Sequence, residues 1–313
     1  MSAEVSLLII TYQAEATVAA ALHAALAQEG PPLDIVVSDD ASRDETFAIA
    51  AAIADTYRGP HRVRCFRNPT NLGLIGNVLA GAARCEGGLI LLAAGDDRSH
   101  PERARRLAEA WQAAGSPDAA VVYSDVRPIG EDGAPVAGWN EQVARPPWTL
   151  ERLARGGTGP LGASCAITPR LLAAPEPIDT SIRHEDRVFP FRALLLGGQM
   201  LFVDAKLVDY QVTGGVSRQA AATPLEELTT LTSRFHRATL PDARARLRDA
   251  ELAGASPAIL RRCRQTLREQ EALLALSSGE PAGRTLARAV AAGARPLPLL
   301  AYLARLAKAK LAR

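Results

Sequence analysis

Two adjacent acid pairs each close an apolar run. Asp39-Asp40 follows Asp34-Ile35-Val36-Val37-Ser38, and Asp96-Asp97 follows Leu89-Ile90-Leu91-Leu92-Ala93-Ala94-Gly95. Runs this apolar fit strands buried on both faces of a sheet. Their carboxylates then emerge together at the carboxyl edge, where open α/β sheets bind ligands. Four carboxylates at one edge repel one another unless positive charge or hydrogen-bond donors sit among them. A divalent metal and a nucleotide meet that need. Acids at strand ends also cap helices, and Asp44 is read partly so, but adjacent pairs exceed what capping requires.

The elements that must position these pairs are read from the same chain. Val5 to Ile10 is a short apolar strand, and Ala14 to Gln28 has helical spacing that stops at Gly30-Pro31-Pro32. Ser42 with Glu45 has the capping-box pattern and predicts a helix to about Tyr57. Arg62 to Phe66 alternates as a strand, Asn68 to Gly73 is a loop, and Leu74 to Arg84 is a helix. Ser99 and Pro101 mark a helix start that runs to Ala114. This alternation argues for βαβ units and a mostly parallel sheet. After Ala119 the rhythm changes. Ala120 to Ser124 reads as a strand, Arg127 to Pro147 as loops with a hairpin, and Leu161 to Thr168 as a strand. Glu185 to Leu196 reads as a helix, and Leu201 to Val212 as a return to the sheet. Beyond Thr223 the pattern is helical: Leu225–Ala250, Pro257–Leu276, Ala282–Ala292 and Pro298–Ala312. The expected boundary lies near residue 220, giving units 1–220 and 221–313.

Composition narrows the classes. The chain has 313 residues, 48% hydrophobic and 22% charged, with 36 basic against 34 acidic residues and net charge +2. That describes a globular protein with no basic field for nucleic acid. Cys65, Cys85, Cys165 and Cys263 are scattered without a CxxC, so neither a zinc site nor a disulfide framework is indicated. A reducing, cytoplasmic setting is expected. Met1-Ser2-Ala3-Glu4 runs straight into a strand without a signal-peptide pattern, and no apolar run reaches bilayer-spanning length. The five histidines lack metal-ligand spacing; His184 stands out only for its acidic neighbours. Gly87-Gly88, Gly156-Gly157 and Gly197-Gly198 read as turns, and none forms a G-x-G-x-x-G between strand and helix.

Five segments together resemble a family-2 glycosyltransferase with the GT-A fold, over about residues 5–217 and in that family's order. Val5-Ser6-Leu7-Leu8-Ile9-Ile10-Thr11-Tyr12 resembles its first strand and nucleotide-contacting turn. Asp39-Asp40-Ala41-Ser42-Arg43-Asp44 resembles its D-D-x-S-x-D segment, and Asn71-Leu72-Gly73 with Asn77 its N-x-G loop and helix. Gly95-Asp96-Asp97 with Pro101 and Arg103 resembles its metal-binding region. His184-Glu185-Asp186 with Phe189 and Arg192 resembles its E-D motif. The implied fold is Rossmann-like, a mostly parallel sheet flanked by helices, followed here by the helical C-terminal segment.

The resemblance implies transfer of a sugar from a UDP-, dTDP- or GDP-linked donor to a hydroxyl of a glycan or lipid-linked glycan. Mn²⁺ or Mg²⁺ is the implied cofactor, with Asp97 as ligand and Asp96 reaching the ribose or the metal's waters. Thr11, Tyr12, Asp39, Asp40, Asn71, Gly73 and Asn77 are expected at the nucleotide. Asp186 is the implied general base, with Glu185 second, and a single base implies inversion. Arg192 is expected to orient the acids or contact phosphate. Helix-start electrostatics would also explain Glu185-Asp186, and turn chemistry Asn71 and Gly73.

Two departures stand against the family pattern. Ala94 replaces the first acid of its fuller D-x-D-D, and Gln211 and Thr213 replace the Arg and His of its Y-R-x-H…S ending, read here as Tyr210 to Ser217. They are the best support for the rival reading of a nucleotide-sugar-binding or scaffolding relative without chemistry, against which the retained Asp97 and Asp186 speak. A sugar nucleotidyltransferase would need a glycine-rich basic loop where Thr11-Tyr12-Gln13-Ala14-Glu15 stands. The tail from Pro296 interleaves leucines with Arg305, Lys308, Lys310 and Arg313. It reads as a helix docked on its neighbours, as peripheral membrane contact, or as an oligomer contact.

Overall fold

A computed structural model describes residues 4–130, 132–136, 145–156, 159–212 and 223–311. Strand-helix alternation builds the first half: β1 (Val5–Thr11), α1 (Val18–Leu26), β2 (Asp34–Asp39), α2 (Thr46–Thr56), β3 (Arg62–Arg67), α3 (Gly73–Ala82) and β4 (Leu89–Ala94). There follow β5 (Arg98–Ser99), α4 (Arg103–Ala113), β6 (Ala120–Ile129), α5 (Leu150–Ala154), β7 (Cys165–Ile167), α6 (Arg170–Ala173), α7 (Glu185–Leu195) and β8 (Gln199–Gln211). The eight strands form one sheet in the order β3-β2-β1-β4-β7-β6-β8-β5. β1 pairs in parallel with β2 and β4, β2 with β3, and β6 with β8, while the β7 and β5 pairings are antiparallel.

Period-two alternation explains why the central strands are apolar throughout. Leu7 and Ile9, Ile35 and Val37, and Leu89 and Leu91 enter the core on one face. Leu8, Val36, Ile90 and Leu92 enter the core on the other. The register pairs Thr11 with Asp39 and Ile10 with Ala94, so the ends of β1, β2 and β4 lie level. At the opposite end Asp34 accepts from Ser6, Arg64 and the Glu86 N–H, which braces the strand starts.

Three local expectations change. Ser42 does not form a capping box: its hydroxyl donates to Asp39 and accepts the Gln13 N–H, while Asp44 accepts the Thr46 N–H at the start of α2. Ser99 opens no helix; it lies in β5, paired with Val208, and α4 begins at Arg103. The strand expected over 161–168 shortens to β7, because Gly162–Ser164 forms a 3-10 turn.

The helical segment is α8 (Pro224–Leu252), α9 (Pro257–Ser277), α10 (Ala282–Ala291) and α11 (Pro296–Leu311). Thr223 and Ser256 cap α8 and α9 by accepting the Glu226 and Ile259 N–H. Phe191 of α7 packs with Leu153, Ala250, Ile259 and Cys263, which ties α7 to α8 and α9. The boundary near residue 220, Gly157 and the segment Thr213 to Ser217 lie outside the described residues.

Candidate functional site

The level ends of β1, β2 and β4 open into a cavity of about 1090 Å³, at the upper end for small-molecule sites. Thr11, Tyr12, Asp40, Asn71, Gly73, Asn77 and Asp96 line it, joined by Gln13, Glu15, Asp44 and Gln211. Thus seven expected residues meet at one edge, and four more acids or amides join them. Among the described residues, no Lys, Arg or His lines this cavity.

Hydrogen bonds fix its walls. Asp40 accepts from the Asn68 amide and the Leu72 N–H through Oδ1, and from the Gly73 N–H through Oδ2. Gly73 has φ of 74°, a conformation glycine adopts without strain, and this aims its N–H at Asp40. Asp39 is fully buried behind the wall, accepting from the Thr11 and Ser42 hydroxyls and the Ser42 N–H. It shapes the turn that carries Asp40. Asn77 accepts from Ser38 and Asn68 and donates to the Thr11 and Ser38 carbonyls, so its amide braces β1 against β2. Gln13 and Ala41 hold positive φ values of 53° and 59° at this edge, backbone strain of the kind that gathers at functional sites.

Asp96 is exposed at the cavity, and Asp97 is 5% exposed behind it. Asp97 Oδ1 accepts the Gln211 backbone N–H at 2.9 Å. Burial and the neighbouring Asp96 charge push its pKa up to about 7. Arg103, fully buried, steadies this corner. It donates to Ser99 and to the carbonyls of Leu92, Ala163 and Cys165, and its charge acts on Asp97. The sequence motif places Arg103 near the Asp96-Asp97 pair, but its partners on β4, β5, the 3-10 turn and β7 appear only in the fold.

The second acid pair sits at the first turn of α7. Burial raises the pKa of Asp186, whose Oδ1 is buried without a hydrogen-bond partner among the described residues. Burial and the Asp186 charge push Glu185 up to about 7. Burial raises the pKa of the Tyr210 phenol, and the charges of Asp97, Asp96, Asp186 and Glu185 raise it further. His184 caps the arrangement through Asp242 of α8, 2.8 Å from Nδ1 to Oδ2. Asp242 becomes visible as a support of this end of α7 only once the chain is folded.

Arg192 requires a correction. It is 1% exposed, paired with Asp249 of α8 through both Nε and Nη2, and its Nη1 donates to the Leu171 and Glu176 carbonyls. Its guanidinium is committed to joining α7 to α8, away from the cavity lining. The acid pair and trailing arginine are present, and the arginine's hydrogen bonds go to Asp249, Leu171 and Glu176.

A divalent cation fits the residues present. Among the described residues no three acids, histidines or cysteines form a ready metal cage. Mg²⁺-type sites need none, being held by one or two carboxylates together with substrate phosphates. The cavity lining is acidic and without a cation, and Asp96 and Asp97 repel each other at its edge.

Comparison with known proteins converges on the same edge. Residues 6–165, just over half of the chain, match the family model for glycosyl transferase family 2. The succinoglycan biosynthesis protein ExoO of Rhizobium meliloti (strain 1021) is 34% identical over 145 residues, 46% of this chain and 39% of that protein. The chain spans less than half the length of the curated relatives it matches. Among solved structures, S. aureus TarS 1–349 in complex with UDP-GlcNAc aligns with TM-score 0.55 and 18% identity. That alignment covers 98% of this chain and 88% of that one. Mannosyltransferase PcManGT from Pyrobaculum calidifontis, in complex with GDP-Man and Mn²⁺, aligns with TM-score 0.55 and 18% identity over 99% and 81%. At these identities the likeness is one of fold, the GT-A fold. The matched segment contains the strands whose ends bear Thr11, Asp40 and Asp96-Asp97, and by that match the chain belongs to glycosyl transferase family 2.

Proposed function

We propose that the protein transfers a sugar from a nucleotide-sugar donor to a hydroxyl of a glycan or lipid-linked glycan, with a divalent metal and with inversion. The observation that carries the reading is the donor-sized cavity at the level ends of β1, β2 and β4, with Thr11, Asp40 and Asp96 on its wall. The complexes of TarS with UDP-GlcNAc and of PcManGT with GDP-Man and Mn²⁺ support donor class and metal. ExoO supports a polysaccharide product.

In this reading Asp40, Thr11 and Tyr12 hold the base, and Asn71 and Gly73 close over it. Asp97 and Asp96 hold the metal, which when bound offsets the charge that grows on the departing diphosphate. The acceptor hydroxyl is a poor nucleophile at neutral pH. Asp186, whose Oδ1 has no hydrogen-bond partner among the described residues, takes its proton as the oxygen attacks the anomeric carbon. Attack opposite the leaving group by a single displacement inverts that carbon.

Thermal shift with UDP, GDP, dTDP and CDP, with and without Mn²⁺ or Mg²⁺, tests this directly. A metal-dependent shift with one nucleotide, abolished in Asp97→Ala, is the expected result. Donor turnover lost in both Asp97→Ala and Asp186→Asn excludes the relative without chemistry. No shift with any nucleotide would favour it.

A further inference from the structure

The helical segment carries a charge balance opposite to the rest. Residues 223–313 hold 16 Arg or Lys against 8 Asp or Glu, whereas residues 1–222 hold 20 against 26. Its last helix is also apolar on two faces. Leu299 and Tyr302 are fully buried against α8 and α9, with Leu303 and Leu306 packed beside them. On the opposite side Leu297, Leu300 and Leu311 are 75%, 48% and 87% exposed. Ala301, Ala304 and Lys308 share that side at three- and four-residue spacing.

The exposed strip does not end with α11. A groove of about 550 Å³ separates α11 from α8, lined by Leu231, Phe235, Pro298, Ala301 and Arg305 among others. Leu231 and Phe235 are 47% and 49% exposed. Exposed apolar side chains on both α8 and α11, with Arg305 lining the groove between them and Lys308 on the exposed side of α11, mark an interaction surface. A second copy of the chain on this face would set one basic patch against another. An anionic phospholipid surface matches both the apolar strip and its basic rim, because Lys and Arg stems lie along acyl chains while their heads reach phosphate.

We propose that this face docks on an anionic phospholipid bilayer, with Leu297, Leu300, Leu231 and Phe235 at the acyl boundary and Arg305 and Lys308 at the phosphates. No helix among the described residues is long and apolar enough to cross a membrane, so the contact lies in the interface. The inference does not depend on the donor or the reaction.

The test is co-sedimentation of the full chain with phosphatidylcholine vesicles and with phosphatidylcholine–phosphatidylglycerol vesicles. Binding to the anionic vesicles is expected, weakened by salt. Leu300→Glu or Leu297→Glu weakens it by about tenfold or more. Lys308→Ala weakens it by roughly fivefold. These side chains are exposed, so an unchanged melting temperature and nucleotide-dependent shift separate lost docking from lost folding. Absence of binding at low salt overturns the proposal, as does equal binding to both vesicle types. So does a Leu300-dependent dimer in light scattering without vesicle binding, which would assign the face to self-association.

Discussion

Asp242, fully buried on α8, accepts from His184 at 2.8 Å and from the Arg183 backbone N–H at 3.1 Å, so the helical segment holds the entrance to α7. The hydrogen bond to Asp242 raises the His184 pKa, against the opposing effect of burial. Besides Asp242, the charges that act on His184 are those of Asp186 and Arg187. A raised histidine pKa contributes stability that is complete below the unfolded value, about 6.5, and fades as pH rises through the folded value. Asp242→Asn therefore lowers the melting temperature most near about pH 6 and least near about pH 9. Melting curves across that range check it; an equal loss at both ends would leave only the Arg183 contact.

The α7 acids carry the second prediction. Asp186→Asn lowers kcat by roughly 10²–10⁴-fold and leaves the nucleotide-dependent thermal shift in place. Because burial raises both acids, with Glu185 at about 7, the wild-type kcat/KM climbs as pH rises through that region. Near-normal turnover in Asp186→Asn would remove it as base.

Gly162 supplies a test of geometry. A Cβ there would sit on the Glu185 carboxylate. Gly162→Ala turns that acid away and lowers kcat by an order of 10²-fold, with donor KM little changed. Steady-state kinetics at fixed acceptor concentration decide it; unaffected kcat would mean that the position of Glu185 is not used.

Arg192 and Asp249 are 1% and 2% exposed at the side chain, a buried pair. Removing one partner strands the other charge, so Arg192→Leu costs about 3–5 kcal/mol in urea unfolding while nucleotide affinity stays unchanged. Weakened nucleotide binding at unchanged stability would instead return Arg192 to the phosphates.

Much of the fold was legible because it is local. The apolar runs Val5–Thr11, Asp34–Asp39 and Leu89–Ala94 could only be strands covered on both sides, and the Thr223-Pro224 and Ser256-Pro257 starts of α8 and α9 carry their own caps. Where the chain had two local solutions, the longer-range one prevailed. Ser42 left its capping role to serve Asp39 and Gln13, and Ser99 joined a strand pairing with β8.

By itself the sequence determined the acid pairs, their delivery at the carboxyl edge and the glycosyltransferase resemblance, since residue type and strand period require nothing distant. Tertiary structure decided which groups serve them. Gln211 departs from the family in its side chain, yet what reaches Asp97 is its backbone N–H, a feature no residue code displays. Asp242 reaches His184 across 58 positions, and Arg103 reaches Cys165 across 62. Arg192 was legible as a charge near acids, but its partner was chosen by the packing of α7 on α8. Burying a guanidinium demands a carboxylate in contact, and only the folded chain settles which carboxylate that is.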